Sequence, residues 1–257
     1  MYNTDINILG GIPDYSLIYA ALPLLVEGKD DLHESLVKNN EFDFRTERSR
    51  IRFFTLLTSA FISDKAEINE LSSQLIQHLG NDEKSRALVL FWLFSLNNKL
   101  FYELNRDVFL KYFFQGRAEL PKSDVIAYLK DKLATNEEMK GRWTESTINT
   151  VAYKYLSVLK RLHLLEGVKK KTFCFVRVSD EMLAVFVHFY TYSNRNNNNI
   201  LEDEFFSFSL IPKENTVARL KKIGKKDWIK MNYTGTSLRV EGSYKPNEII
   251  DGIFRRA

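Results

Sequence analysis

The run Ala87–Leu96 (Ala-Leu-Val-Leu-Phe-Trp-Leu-Phe-Ser-Leu) has no charged side chain. Asp82 stands ahead of it as an N-cap, with Glu83, Lys84 and Arg86 in the first helical turn. A helix that is apolar on nearly every side must be covered on every side, so it belongs in the middle of a bundle. Its 10 residues fall well short of the roughly 20 that cross a bilayer. The chain is therefore expected to be a helical protein not embedded in a membrane.

The flanking sequence supplies the cover. Asp14 is placed to cap a short helix from Tyr15 toward Glu27, with Gly28 ending it. Asp30–Lys38 reads as a second short helix closed by Asn39 and Asn40. In Thr46–Phe61 the apolar residues Ile51, Phe54, Leu57 and Phe61 recur at helical spacing. Glu67–Leu79 repeats it with Ile68, Leu71, Leu75, Ile76 and Leu79, stopped by Gly80. Asn97–Phe114 continues with Leu100, Leu104 and Val108. Leu120–Pro121 then forms a seam, so residues 1–120 are expected to form a helical bundle domain.

Residues 121–193 read as a winged helix-turn-helix-like domain. Ser123 is expected to cap Asp124–Leu133, and a polar connector, Ala134–Gly141, follows. Thr144 suits the cap of the next helix, whose stripe is Ile148, Val151, Ala152, Tyr155, Leu159 and Leu162, with Gly167 as its close. Lys169–Lys171 falls in a turn, Phe173–Val178 in a strand, and Ser179 caps Asp180–Tyr192. Residues 194–257 are expected to form a small α+β extension. It starts from the Asn-rich loop Asn194–Asn199, with Phe205–Ile211 extended and Pro212 opening a helix over Glu214–Ile223. Trp228–Tyr233 and Thr236–Gly242 form a hairpin around Thr234-Gly235. The fold class is thus mainly α with a C-terminal hairpin.

Charge is uneven. Residues 1–121 hold 13 Lys and Arg against 17 Asp and Glu, whereas residues 122–257 hold 24 against 16. Such a split points the second half toward an anionic partner, although basic surfaces also serve solubility and protein contact. In a winged helix the second helix of the pair enters the major groove and the wing grazes the backbone. The candidate duplex-DNA contacts are therefore Arg142, Thr144, Ser146, Asn149, Thr150, Tyr153 and Lys154 on the helix, with Lys169, Lys170 and Lys171 on the wing. A second basic stretch, Arg219, Lys221, Lys222, Lys225, Lys226 and Lys230, has Trp228 and Tyr233 interleaved; Lys222, Lys225 and Lys226 join the candidate set. Winged helices also dock proteins, so an adaptor without DNA contact is the competing expectation.

Chemistry is not visible. Pro13-Asp14 followed by Glu27-Gly28-Lys29 has the bare spacing of a metal-dependent nuclease, but the pattern needs a strand and here ends a helix. Glu202-Asp203-Glu204 lacks a ligand-spaced partner, and the four histidines lie far apart. Cys174, the single cysteine, is expected to be buried and inert, and it rules out an intramolecular disulfide. No phosphate-binding glycine loop or nucleophile elbow occurs. The expectations are no catalytic residue, no metal, no cofactor, no small-molecule substrate and a cytoplasmic location, since no basic n-region precedes Leu17–Val26.

The stretch Trp143-Thr144-Glu145-Ser146-Thr147-Ile148, with Lys154-Tyr155-Leu156, Leu159-Lys160 and Leu164-Leu165-Glu166-Gly167, resembles the signature of the BrxA family. That family comprises small, largely helical components of BREX bacteriophage-exclusion systems. Gly10–Glu27 is similar to the family's start, and the likeness is weakest after Asn194. The resemblance implies a non-catalytic member of a multi-gene defence system whose methyltransferase, ATPase and phosphatase-like activities sit on other subunits. Those subunits are then expected partners, and the resemblance carries no catalytic residue over.

Overall fold

The computed structural model describes residues 2–3, 5–26, 28–193 and 199–255. The chain is mainly helical, with two small antiparallel hairpins. Helices α1 (Asp5–Leu9), α2 (Ser16–Ala21) and α3 (Lys29–His33) are short; α4 (Glu47–Phe61), α5 (Ala66–Leu79) and α6 (Glu83–Asn97) are long. A rod follows from α7 (Lys99–Leu104) through a wide π turn, Asn105–Phe109, into α8 (Leu110–Phe114). Then come α9 (Lys122–Thr135), α10 (Glu145–Arg161), β1 (Leu165–Glu166), β2 (Thr172–Phe173) and α11 (Asp180–Tyr192). Next are α12 (Lys213–Gly224), β3 (Ile229–Tyr233) and β4 (Leu238–Gly242), then a 3₁₀ turn, Pro246–Glu248, and a π turn, Ile250–Phe254. No helix of the described residues is long and apolar enough to cross a membrane.

Helix α6 is the centre of the molecule. Every residue from Ala87 to Ser95 is buried. Trp92 packs on Phe186 and Phe189 of α11, with ring centroids 5.2 and 5.8 Å away, and its Nε1–H donates to the Phe208 carbonyl at 3.0 Å. Phe91 stacks on Phe208 and meets Phe101 and Phe109 edge-on. One polar relay crosses this core: the Tyr155 hydroxyl of α10 donates to Asn105 Oδ1 at 2.9 Å, where the chain has left regular α geometry.

The four polar caps Thr46, Asp82, Thr144 and Ser179 each accept a backbone N–H from the first turn. Other expectations need correction. The buried stripe of α4 is Phe53, Leu56, Leu57, Ala60 and Phe61, while Ile51 is 47% exposed. Both registers fit helical spacing; the Phe53 contact with Phe44, 5.2 Å between centroids, goes with the observed one. Helix α2 gives way to a 3₁₀ turn, Leu22–Val26, around Pro23, which lacks the amide an α-helix needs. Gly28, at φ 130°, opens α3 rather than closing α2, and Glu27 lies outside the described residues. Pro121 takes the cap position of α9, and Ser123 instead donates to Asp124.

Helix α10 ends at Arg161, with His163 in the left-handed region at φ 55°. Gly167 belongs to the β1–β2 turn, where φ is 90° and a Cβ would lie 2.2 Å from the Lys170 carbonyl oxygen. The strand expected over Phe173–Val178 stops at Phe173, and Cys174 is half-buried, its thiol pushed up by desolvation. Glu204–Ser209 is a 3₁₀ turn rather than extended chain. Its three-residue period brings Phe205 and Phe208 to one side, stacked at 5.0 Å, and Asp203 caps it through the Phe205 N–H. Of Asn194–Asn199, only Asn199 lies within the described residues.

The β3–β4 hairpin packs on α11 through His188. The His188 Nδ1–H donates to the Ala184 carbonyl at 2.8 Å, and Nε2 accepts the Tyr244 N–H at 3.2 Å, which fixes a neutral tautomer. Gly242 is required there, since a Cβ would come within 2.4 Å of the imidazole. Burial pushes the imidazole down to about 4. The folded form therefore prefers neutral His188, and the unfolded chain titrates near 6.5. Stability from this group is complete above about pH 6.5 and is lost as pH falls toward 4. Urea unfolding should show a loss of about 2 kcal/mol between roughly pH 7.5 and pH 5. His188→Gln should remove that part of the slope, and an unchanged slope would refute the assignment.

Candidate nucleic-acid interface

Thr144 begins α10 by accepting the Thr147 N–H on its hydroxyl at 3.3 Å. The apolar stripe Ile148, Val151, Ala152, Tyr155, Leu159 and Leu162 is buried, as its spacing requires. Opposite it, Ser146, Thr150 and Lys160 are exposed, Ser157 is half-buried and Tyr153 is 58% exposed. Asn149 is half-buried, and its Nδ2 donates to the Glu145 carbonyl at 3.0 Å. Thr150 and Ser157 likewise donate to the Ser146 and Tyr153 carbonyls. The polar face is thus open, but several of its donors are turned back into the helix. Arg142 is exposed just before the cap.

Helix α10 packs against α9, α1 and β1. The approach of α1 is close. A Cβ at Gly10 would lie 2.5 Å from the Lys154 carbonyl oxygen, so only glycine fits. Lys154 is half-buried beside this contact, with its ammonium 5.9 Å from the Tyr153 ring.

Beside α10 stands the β1–β2 hairpin, Leu165 opposite Phe173 and Glu166 opposite Thr172. The segment before α9 joins it: Leu120 N–H donates to the Lys171 carbonyl at 2.8 Å and Phe173 N–H to the Ala118 carbonyl at 3.1 Å. The bridge Glu119–Thr172 adds a third, single-residue edge, which the sequence reading took only as a seam.

The three lysines of the hairpin turn do different things. Lys171 folds back, and its ammonium donates to the Gly167 and Val168 carbonyls at 2.8 and 2.9 Å. Desolvation lowers its pKa. Lys170 is 81% exposed at its side chain and loosely faces Glu119 at 3.9 Å. Lys169 is exposed. At the tip, Val168 is 83% exposed, and beyond β2 Phe175 is 88% exposed.

The second basic stretch lies apart, on α12, which packs on β3 and α11. Lys222 is bound to Asp180 at 2.6 Å, as is Arg219 at 2.8 Å, and the pair holds the Asp180 carboxyl below its usual range. Lys225 and Lys226 are exposed, with Lys226 4.0 Å from the ring of buried Trp228. Elsewhere, Asp203 accepts from the Tyr190 hydroxyl and Glu204 pairs with Arg106. Among the described residues no group of three or more His, Cys, Asp or Glu side chains is placed to hold a metal ion.

These features define a mainly helical protein that carries an open-faced helix and a lysine-bearing hairpin in one unit. The chain belongs to the BrxA family, whose match spans residues 11–187. It is thereby a component of a BREX phage-defence system. Comparison with curated proteins finds no match.

The Gly10 contact is a testable hinge of this arrangement. Gly10→Ala should force α1 off α10 and cost about 1–3 kcal/mol, read as a lower urea midpoint. An unchanged midpoint would show that α1 does not seat on α10.

Proposed function

We propose that this protein binds duplex DNA with low sequence specificity through α10 and the β1–β2 turn, as a non-enzymatic BREX component in the cytoplasm. The observation that carries the reading is the solvent-facing stripe of α10 set beside the exposed Lys169 and Lys170. The element order supports it: the α7–α8 rod, the Ala118–Leu120 edge, α9, α10, β1, the basic turn and β2 follow the order of a winged helix. Because Asn149, Thr150 and Ser157 donate to their own helix, few donors remain for base edges. Backbone contact then dominates, which gives affinity without much sequence choice. Arg142, Ser146, Tyr153 and Lys154 would flank the same track, while Lys225 and Lys226 form a separate basic patch.

A second reading is favoured by a different observation. Phe175, Val168 and Tyr153 are the most exposed of the large hydrophobic residues described. Such side chains suit a protein partner, and the other BREX subunits are the natural ones.

Fluorescence anisotropy with a mixed-sequence duplex across a salt series separates the two. If about six phosphates are contacted, log K should fall against log[salt] with a slope near −5. Lys169→Gln should make that slope shallower by about one. Lys171→Gln should leave the slope unchanged, because that ammonium is already committed to the turn. Replacing Lys169, Lys170 and Lys171 together with Glu should abolish binding. No salt-sensitive binding by the wild type, together with co-purification of another BREX subunit, would select the adaptor.

A further inference from the structure

A cleft of about 400 Å³ lies between the Pro13–Ala20 segment, the start of α6 and the end of α10. Its walls bring together Arg86 and Arg161, with Asp14, Tyr19, Glu83 and His163. Some arginines of the fold face carboxylates, Arg106, Arg219 and Arg255 among them. Among the described residues Arg86 and Arg161 do not. The Arg86 guanidinium lies 4.3 Å over the Tyr19 ring, and Arg161 donates to the Pro13 carbonyl. The Nε–H of each is buried without an acceptor, as is that of Arg50, which lies outside the cleft.

The acids of the cleft have partners other than the two arginines. Asp14 accepts the Ser16 N–H at 2.9 Å and the Ser16 hydroxyl at 2.7 Å, which holds its carboxyl below the usual range. Glu83 faces the His163 ring at 3.8 Å. Two guanidinium forks are therefore fixed by a ring and a carbonyl, with donors unspent. Leaving a buried donor unpaired is costly, a cost that an incoming oxyanion would relieve. Planar forks match the several oxygens of a phosphate better than a point charge does. The volume is at the small end of ligand sites, roughly 300–1,000 Å³.

We propose that this cleft binds a phosphate monoester, held by Arg86 and Arg161. Asp14 and Glu83 keep the local charge near balance, so recognition rests on the two forks and suits one phosphate rather than a polyanion. The site is separate from the proposed DNA track. Arg161 lies 15 residues along α10 from Ser146, roughly 22 Å by helical rise. The phosphate could come from a free nucleotide or from the 5′ end of a DNA strand.

The test follows the arginine Nε–H resonances of the ¹⁵N-labelled full chain by NMR, with four probes: inorganic phosphate, AMP, and a short oligonucleotide with either a 5′-phosphate or a 5′-hydroxyl. Two Nε–H signals, assigned by their loss in Arg86→Lys and Arg161→Lys, should shift together and saturably. Response to AMP identifies a free nucleotide as a source, and response to the 5′-phosphorylated strand alone identifies the DNA end. Arg86→Lys, which keeps the charge and lacks the fork, should weaken binding at least about tenfold, equivalent to 1.4 kcal/mol. No saturable shift in the wild type with any probe, or equal affinity in a folded Arg86→Lys variant, would overturn the proposal. The wild-type titration decides even if the variant fails to fold.

Discussion

The burial of α6 from Ala87 to Ser95 is the constraint from which the rest of the architecture follows. A helix with Leu88, Val89, Leu90, Phe91, Trp92, Leu93 and Phe94 all hidden offers no face to water. Helices α4, α5 and α7 cover part of it, and α11 with the Glu204–Ser209 turn supplies the remainder. The Trp92 indole N–H makes this more than an apolar demand. Buried, it needs an acceptor, and the Phe208 carbonyl provides one across 116 positions of sequence. The aromatic cluster around it (Phe91, Phe186, Phe189, Phe205 and Phe208) adds edge and stacked contacts to area burial.

Helix α10 is tied into the same core from the other side. Its Tyr155 hydroxyl ends on Asn105, in the π turn that interrupts the α7–α8 rod. That turn sets Asn105 into the core, a placement with a polar purpose rather than an apolar one. The outer face of α10 is thus held rigid from within. Its position along α1 is fixed by the absence of a side chain at Gly10. The proposed contact role would gain from this anchoring, since a binding face is better built on an element held in place.

Some local signals in the sequence were legible at single residues, although Ser123, Gly28 and Gly167 took other roles than their types suggest. Asp82, Thr144 and Ser179, expected as caps, each carry a short oxygen-bearing side chain followed by an acidic residue in a polar first turn. The burial of Ile148, Val151, Tyr155 and Leu159 followed from spacing alone. What escaped is decided by distant residues. The register of α4 goes with Phe44, and the 3₁₀ turn at Phe205–Phe208 with stacking that sequence spacing does not announce. The Glu119 edge is one residue long and shows no alternation at all. The Gly10-Gly11 pair was a visible hint of close approach, but nothing in the sequence names Lys154 as its neighbour. The family likeness, weakest after Asn194, agrees with the match over residues 11–187.

Charge counts mislead for the same reason. Lys222 lies in a basic stretch, yet its charge is spent on Asp180, and Lys171 is spent on two carbonyls of its own turn. Lys130 and Glu145 likewise pair at the start of α10. Arg86 and Arg161 present a different case: each is held by a ring or a carbonyl, yet its Nε–H has no acceptor. The same logic bears on the region beyond residue 187, where the family match ends. Helix α11 is buried from Met182 to Tyr190, and its last residues straddle that limit. His188 faces Gly242 and Tyr244, Tyr190 donates to Asp203, and Thr191 accepts the Gly242 N–H. Both sides of these contacts lie past the matched span, and the links that cross its limit are Trp92 to the Phe208 carbonyl and Phe186 to the Phe205 and Phe206 rings. The family portion therefore depends on the C-terminal segment to close its own core, and the two fold as parts of one hydrophobic cluster.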